Sequence, residues 1–91
     1  MAVIFSSEAG RTLQEIRAYI AKDKPIAASR TAVELVAACD RLEQFPERGR
    51  PGPRPHTREL TTVWPYVILY RIRGLDIFIL SIRHGARKRS G

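Results

Sequence analysis

The segment SIRHGARKR sets an imidazole, His84, between the guanidinium groups of Arg83 and Arg87, with Lys88 and Arg89 following. Cleavage of RNA through its own 2′-hydroxyl needs a base, an acid and cationic support for the phosphorane, and these residue types could supply all three. Histidine is the side chain whose ordinary pKa lies nearest neutrality. The competing reading is a basic surface that grips an anionic partner and does no chemistry, with His84 a hydrogen-bonded anchor just past a strand. A second constellation, Glu47 with Arg48 and Arg50, admits the same two readings. There the alternative is a turn whose charges are simply solvated.

Other chemistries have little to stand on. The sequence has no Gly-rich phosphate loop, no zinc-type Cys/His spacing and no Gly-x-Ser-x-Gly elbow. One cysteine and two histidines argue against a metal site, and no cofactor is expected. Cys39 falls on an apolar helical stripe and reads as a buried, inert thiol. His56, between Pro55 and Thr57, reads as an exposed loop residue. Trp64 and Tyr66 could stack on bases or fill the edge of a small core.

The elements that would position these groups follow from apolar spacing. AVIFS is a short strand ending at Ser6 and Ser7, which can cap a helix. Ala9, Leu13, Ile16 and Ile20 then mark a helix to Lys22. Asp23 or Lys24 caps a second helix with Pro25 in its first turn, and Ala28, Ala32, Leu35, Val36, Cys39 and Leu42 on one face to about Glu43. Four of the six prolines and two glycines crowd Pro46 to Pro55, so that stretch reads as a surface loop carrying Arg48, Arg50 and Arg54. RELTTV, PYVILYRI and DIFILSIR read as strands, the last two joined as an antiparallel hairpin through Arg73-Gly74-Leu75. Within them, Arg58 and Glu59 should face opposite sides, and an internal ion pair competes with any catalytic role there. The order is β-α-α-β-β-β: an α+β fold with an αα-hairpin packed on a mostly antiparallel sheet. The sheet surface away from the helices, near Arg58, Arg71, Arg83 and His84, is the expected functional concavity.

The 91 residues make a single domain, 1–91, with a basic tail over 84–91. So short a chain buries a modest core, and a partner that completes it is plausible. The net charge of +7 lies entirely in the second half, where Glu47, Glu59 and Asp76 face an arginine-rich excess. An anionic partner is expected, either nucleic acid or an acidic protein segment. The single cysteine, and the lack of a leader or a membrane-spanning apolar run, suggest a cytoplasmic protein with no membrane contact.

Taken in order, LQEIRAYIAKDKPIAASR, CDRLEQFPERGRPG, TREL, YVILYRI and IFILSIRHGAR resemble the RelE/ParE superfamily of toxins from bacterial type II toxin–antitoxin modules, from Val3 to about Arg87. The resemblance implies the same β-α-α-β-β-β fold and a hetero-oligomer with an acidic antitoxin. It also implies one of two targets. RelE-like members cut mRNA on the ribosome without a metal, and ParE-like members poison DNA gyrase. The nuclease branch commonly has an arginine where this chain has Val67, a lysine pair before REL, and a tyrosine near the C-terminus. All three are missing here, so the ParE side is favoured. Target or antitoxin contacts are then expected at Arg58, Arg71, Arg83, His84, Arg87, Lys88 and Arg89. In the nuclease alternative, His84 is the acid or base, with Arg58, Arg83 and Arg87 on the phosphate. A nucleic-acid-binding module without toxicity is a third possibility, but the arginines lack an interleaved aromatic platform.

Overall fold

Ser6 ends the first apolar run and starts the first helix. In a computed structural model that describes residues 2–85, strand β1 (Val3–Phe5) leads into helix α1 (Ser7–Ala21). The Ser6 hydroxyl accepts from the Ala9 N–H at 3.0 Å, satisfying one of the unpaired donors at the helix start. Helix α2 (Pro25–Arg41) opens with Pro25 where a missing N–H costs nothing; Lys24 is its cap and contributes no side-chain bond. Both helices stop within two residues of the expected ends.

The strands β2 (Arg50–Pro51), β3 (Thr57–Leu60), β4 (Tyr66–Arg73) and β5 (Asp76–His84) follow. They join β1 in one sheet of order β1-β5-β4-β3-β2. β1 runs parallel to β5, and all other pairs are antiparallel. The two most apolar strands are therefore central, as their composition requires. β2 lies in the segment read as a loop. Two residues at a sheet edge can tolerate Pro51, whose absent N–H is not needed there. The β4–β5 hairpin turns through Gly74 and Leu75. Only Gly74 is left-handed, with φ of 60°, as a type II′ turn needs at its first central residue.

The helices cover one face of the sheet. Ala9, Leu35, Ala38, Cys39 and Leu42 pack on Leu60, Ile68, Tyr70, Ile77, Ile79 and Ile82, and Leu13 and Ile16 close the rim. Val36, expected on this face, is instead exposed beside Val33, and Ala38 takes the buried position. Burial pushes the Cys39 thiol up to about 12, with Asp40 adding to the effect.

A β-bulge decides which β5 side chains look inward. The register passes from Tyr70↔Ile79 to Leu69↔Ser81, leaving Leu80 unmatched. The Ser6 hydroxyl donates to the Leu80 carbonyl at 2.9 Å, and the Ser6 N–H donates to the Ile79 carbonyl. One serine thus caps α1 and secures the bulge.

The chain leaving α2 at Pro46–Gly49 has backbone groups that no helix or sheet ladder satisfies. Side chains satisfy them instead. The Tyr70 hydroxyl donates to the Pro46 carbonyl at 2.7 Å and accepts from the Gly49 N–H at 2.9 Å. Arg58 Nη1 donates to the carbonyls of Gly49 at 2.6 Å and Glu47 at 3.2 Å. Burial raises the Tyr70 pKa, against the lowering pull of the Gly49 N–H and Arg58. Gly49 is obligatory here: a Cβ would stand 2.8 Å from both the Glu59 carbonyl oxygen and the Tyr70 hydroxyl.

Tyr70→Phe keeps the ring packing but strips Pro46 and Gly49 of their partner. It should cost about 1–3 kcal/mol in urea unfolding, the price of leaving buried polar groups unpaired. Gly49→Ala should destabilise through steric crowding and be rescued only in part by Tyr70→Phe, because the Glu59 carbonyl remains in the way. Cys39 should resist alkylation at pH 8 in the native protein and react fully in denaturant; native-state labelling at the rate of a free thiol would contradict its burial.

Candidate functional site

The open face of the sheet carries a strip of charge. Glu59, on β3, pairs across the strands with Arg50 of β2 on one side and Leu69 of β4 on the other. Its Oε1 accepts from Arg50 Nε at 3.1 Å and forms an ion pair with Nη2 at 3.0 Å. Its Oε2 accepts from Arg83 Nη2 at 3.3 Å, reaching over from β5. The Glu59 side chain is 15% exposed, against 63% for Arg50 and 43% for Arg83. A largely covered carboxylate therefore holds two arginines, one per oxygen, and their other N–H groups have no acceptor among the described residues. Pairs this exposed contribute at most about 1 kcal/mol each, so their value lies in placing charge.

The expected site residues separate. Arg71 and Arg83 are on the open face, Arg71 between Thr57 and Phe78. Arg58 and His84 are not. Arg58 pairs with Tyr70 and His84 with Tyr66, on the side that carries Ile68, Ile82 and the helices. Arg58 is bound to backbone carbonyls. His84 is the last residue of β5, and its ring meets that of Tyr66 edge-to-face at 5.4 Å. Its Nδ1 is buried without a hydrogen-bond partner among the described residues. Arg87, Lys88 and Arg89 lie outside the described residues.

The proline-rich loop forms a second basic feature. Arg54, His56 and Arg58 line an open depression of about 600 Å³ with Glu47 and the hairpin end at Ile72 and Gly74. His56 is exposed, with φ of 66°, and its carbonyl accepts from the Ile72 N–H. The adjoining turn is closed by the Thr57 hydroxyl, which donates to the Arg54 carbonyl at 2.6 Å. These contacts make His56 part of a turn. Among the described residues no group of three or more His, Cys, Asp or Glu could hold a metal ion.

The sequence signalled an ion pair at Glu59 but not its partners, because Arg50 and Arg83 meet it only through sheet order. The Tyr70 hydroxyl gave no sequence signal beyond its place in a central strand.

Comparison with known proteins fits this geometry. The family described as the ParE toxin of the type II toxin–antitoxin system, parDE, matches residues 3–89. The putative toxin Y4kP of Sinorhizobium fredii is 47% identical over 75 residues, covering 81% of this chain and 77% of that protein. Toxin RelE2 of Caulobacter vibrioides is 42% identical over 85 residues, covering 93% and 96%. A solved structure described as the chromosomal ParDE system from P. aeruginosa superposes with a TM-score of 0.83 at 27% identity, covering 92% of this chain and 95% of that one. The chain belongs to the ParE toxin family of type II toxin–antitoxin systems.

Proposed function

We propose that this toxin acts in the cytoplasm by binding DNA gyrase, without catalysing a reaction itself, and is neutralised by an acidic antitoxin. The observation that carries this reading is the division of faces. An acid–base cleavage site needs the imidazole and the phosphate-binding arginines around one scissile bond. His84 and Arg83 leave β5 on opposite sides, and Arg58 is held by backbone carbonyls. A binding surface has no such requirement. Arg71 and Arg83, with the expected contributions of Arg87, Lys88 and Arg89, would engage the target.

The surface also suits a masking antitoxin. Ile26, Val33, Phe45, Trp64 and Leu75 are more than half exposed, an unusual number of large apolar groups for so small a domain. A groove of about 470 Å³ between the helices is lined by Leu13, Arg17, Val33, Val36 and Asp40. A segment with apolar and acidic side chains would cover both kinds of surface, and its charge would steer the encounter.

Ribosome-dependent mRNA cleavage is the second reading, favoured by the name RelE2 of the 42% identical relative. Purified toxin, with and without antitoxin, should inhibit supercoiling of relaxed plasmid by gyrase while leaving mRNA intact in translation extracts. Intact supercoiling with codon-phased mRNA cuts would reverse the assignment. Replacing Arg83, His84 and Arg87 together should abolish growth arrest without unfolding the protein. His84→Ala alone should change gyrase inhibition by less than about tenfold, about 1.4 kcal/mol, because the imidazole lies off the binding face, whereas a catalytic imidazole would lose activity altogether.

A further inference from the structure

The strip Arg50–Glu59–Arg83 has the composition of an anion site that already contains its anion. Two guanidinium groups from opposite sides converge on one carboxylate, at 3.0 and 3.3 Å, on the open face of a chain with net charge +7. A nucleic-acid phosphate would be received by just such a pair, each guanidinium offering a planar edge. Glu59 takes that place from within. Its carboxylate is fixed by β3, which pairs with β2 on one side and β4 on the other, and the side chain is mostly covered.

We infer that Arg50 and Arg83 form a latent phosphate site that Glu59 keeps closed, making Glu59 the residue that prevents the open sheet face from binding nucleic acid. The argument is one of charge and direction. The two arginines alone would present +2 to a polyanion; with Glu59 they present +1, and one edge of each guanidinium points inward. Counterion release, which supplies most sequence-independent affinity for nucleic acid, depends on charges free to neutralise phosphates. Donated hydrogen bonds do not disappear with that compensation. The outer N–H groups of Arg50 and Arg83 remain available to a shape-matched protein surface, where short-range geometry counts for more than long-range attraction. The inference concerns nucleic-acid rejection and stands whichever target the toxin proves to have.

The test is salt-dependent binding of a fluorescent 20-base-pair DNA duplex to the purified full chain. Glu59→Gln keeps a neutral acceptor of the same shape and releases both arginines. If both find phosphates, the slope of log K against log salt should steepen by about 1.8, roughly 0.9 per phosphate. Between 50 and 200 mM salt this is about a twelvefold greater loss of affinity than the parent shows. Adding Arg83→Gln to Glu59→Gln should remove about half of the extra slope. In the parent chain, Arg50→Gln with Arg83→Gln lowers the net charge and weakens binding overall, but it should leave the slope unchanged, because those arginines neutralise no phosphates there. This last pair of substitutions tests the idea even if Glu59→Gln fails to fold. An unchanged slope in folded Glu59→Gln would overturn the inference. So would a slope shallower by about 1.8 on removing the two arginines from the parent, or a steeper slope in Glu59→Gln that persists when both arginines are also replaced.

Discussion

Four backbone groups between Pro46 and Gly49 govern how the two halves of the molecule meet. They lie where the chain passes from the helical layer to the sheet, too short and too rich in Pro and Gly to join either. Backbone groups in such a place must find side-chain partners or remain unpaired. A single phenol on the central strand β4 and a single guanidinium on β3 supply them. Both partners also belong to the sheet that the loop must join. The clamp therefore fixes the start of β2, and with it the approach of Arg50 to Glu59. The lack of space for a Cβ at Gly49 is the same constraint seen from the loop's side.

The bulge in β5 is the second constraint, and it acts on the face of each side chain. An unbroken strand starting with Ile77 and Ile79 inward would turn Ser81 and Arg83 inward too, and leave Ile82 and His84 in solvent. One extra residue at Leu80 reverses that parity. Ile82 enters the core, and Arg83 comes out beside Glu59. The cost of an unmatched carbonyl is offset by Ser6, 74 residues away in sequence. The N-terminal cap of a helix and the orientation of a distant arginine are thus linked through one hydroxyl.

Element types and order were legible because each rests on local periodicity: the stripe from Ala9 to Ile20, Pro25 at a helix start, and the paired apolar runs around Gly74. The faces at the site were not legible, because parity depends on a bulge that no residue of β5 announces. DIFILSIRH alternates acceptably in either phase up to Leu80. His84 was expected beside Arg83 because it read as a residue just past the strand; β5 in fact runs through His84, and two successive strand residues face opposite sides. Arg58 misled for another reason. An arginine in a basic half looks like a ligand-binding group, and only the position of the Pro46–Gly49 carbonyls shows that it serves the backbone. The short β2 escaped because composition signals the breaks in structure around Pro51, while its two-residue pairing depends on where β3 lies.

The second half's charge is consequently less uniform than its composition suggests. Arg58 keeps its charge but is solvated by the Glu47 and Gly49 carbonyls and held in the fold. Arg50 and Arg83 are compensated by one shared carboxylate and remain partly accessible. Arg71 has no acidic partner among the described residues and lies exposed on the same sheet face. A partner approaching this face meets an arginine without an acidic partner among the described residues at Arg71, and a patterned set of hydrogen-bond donors at Arg50 and Arg83. Such an arrangement favours a protein surface that places acidic and neutral acceptors at different points over an evenly charged polyanion. Recognition would then depend on how the arginines are tied down as much as on how many there are.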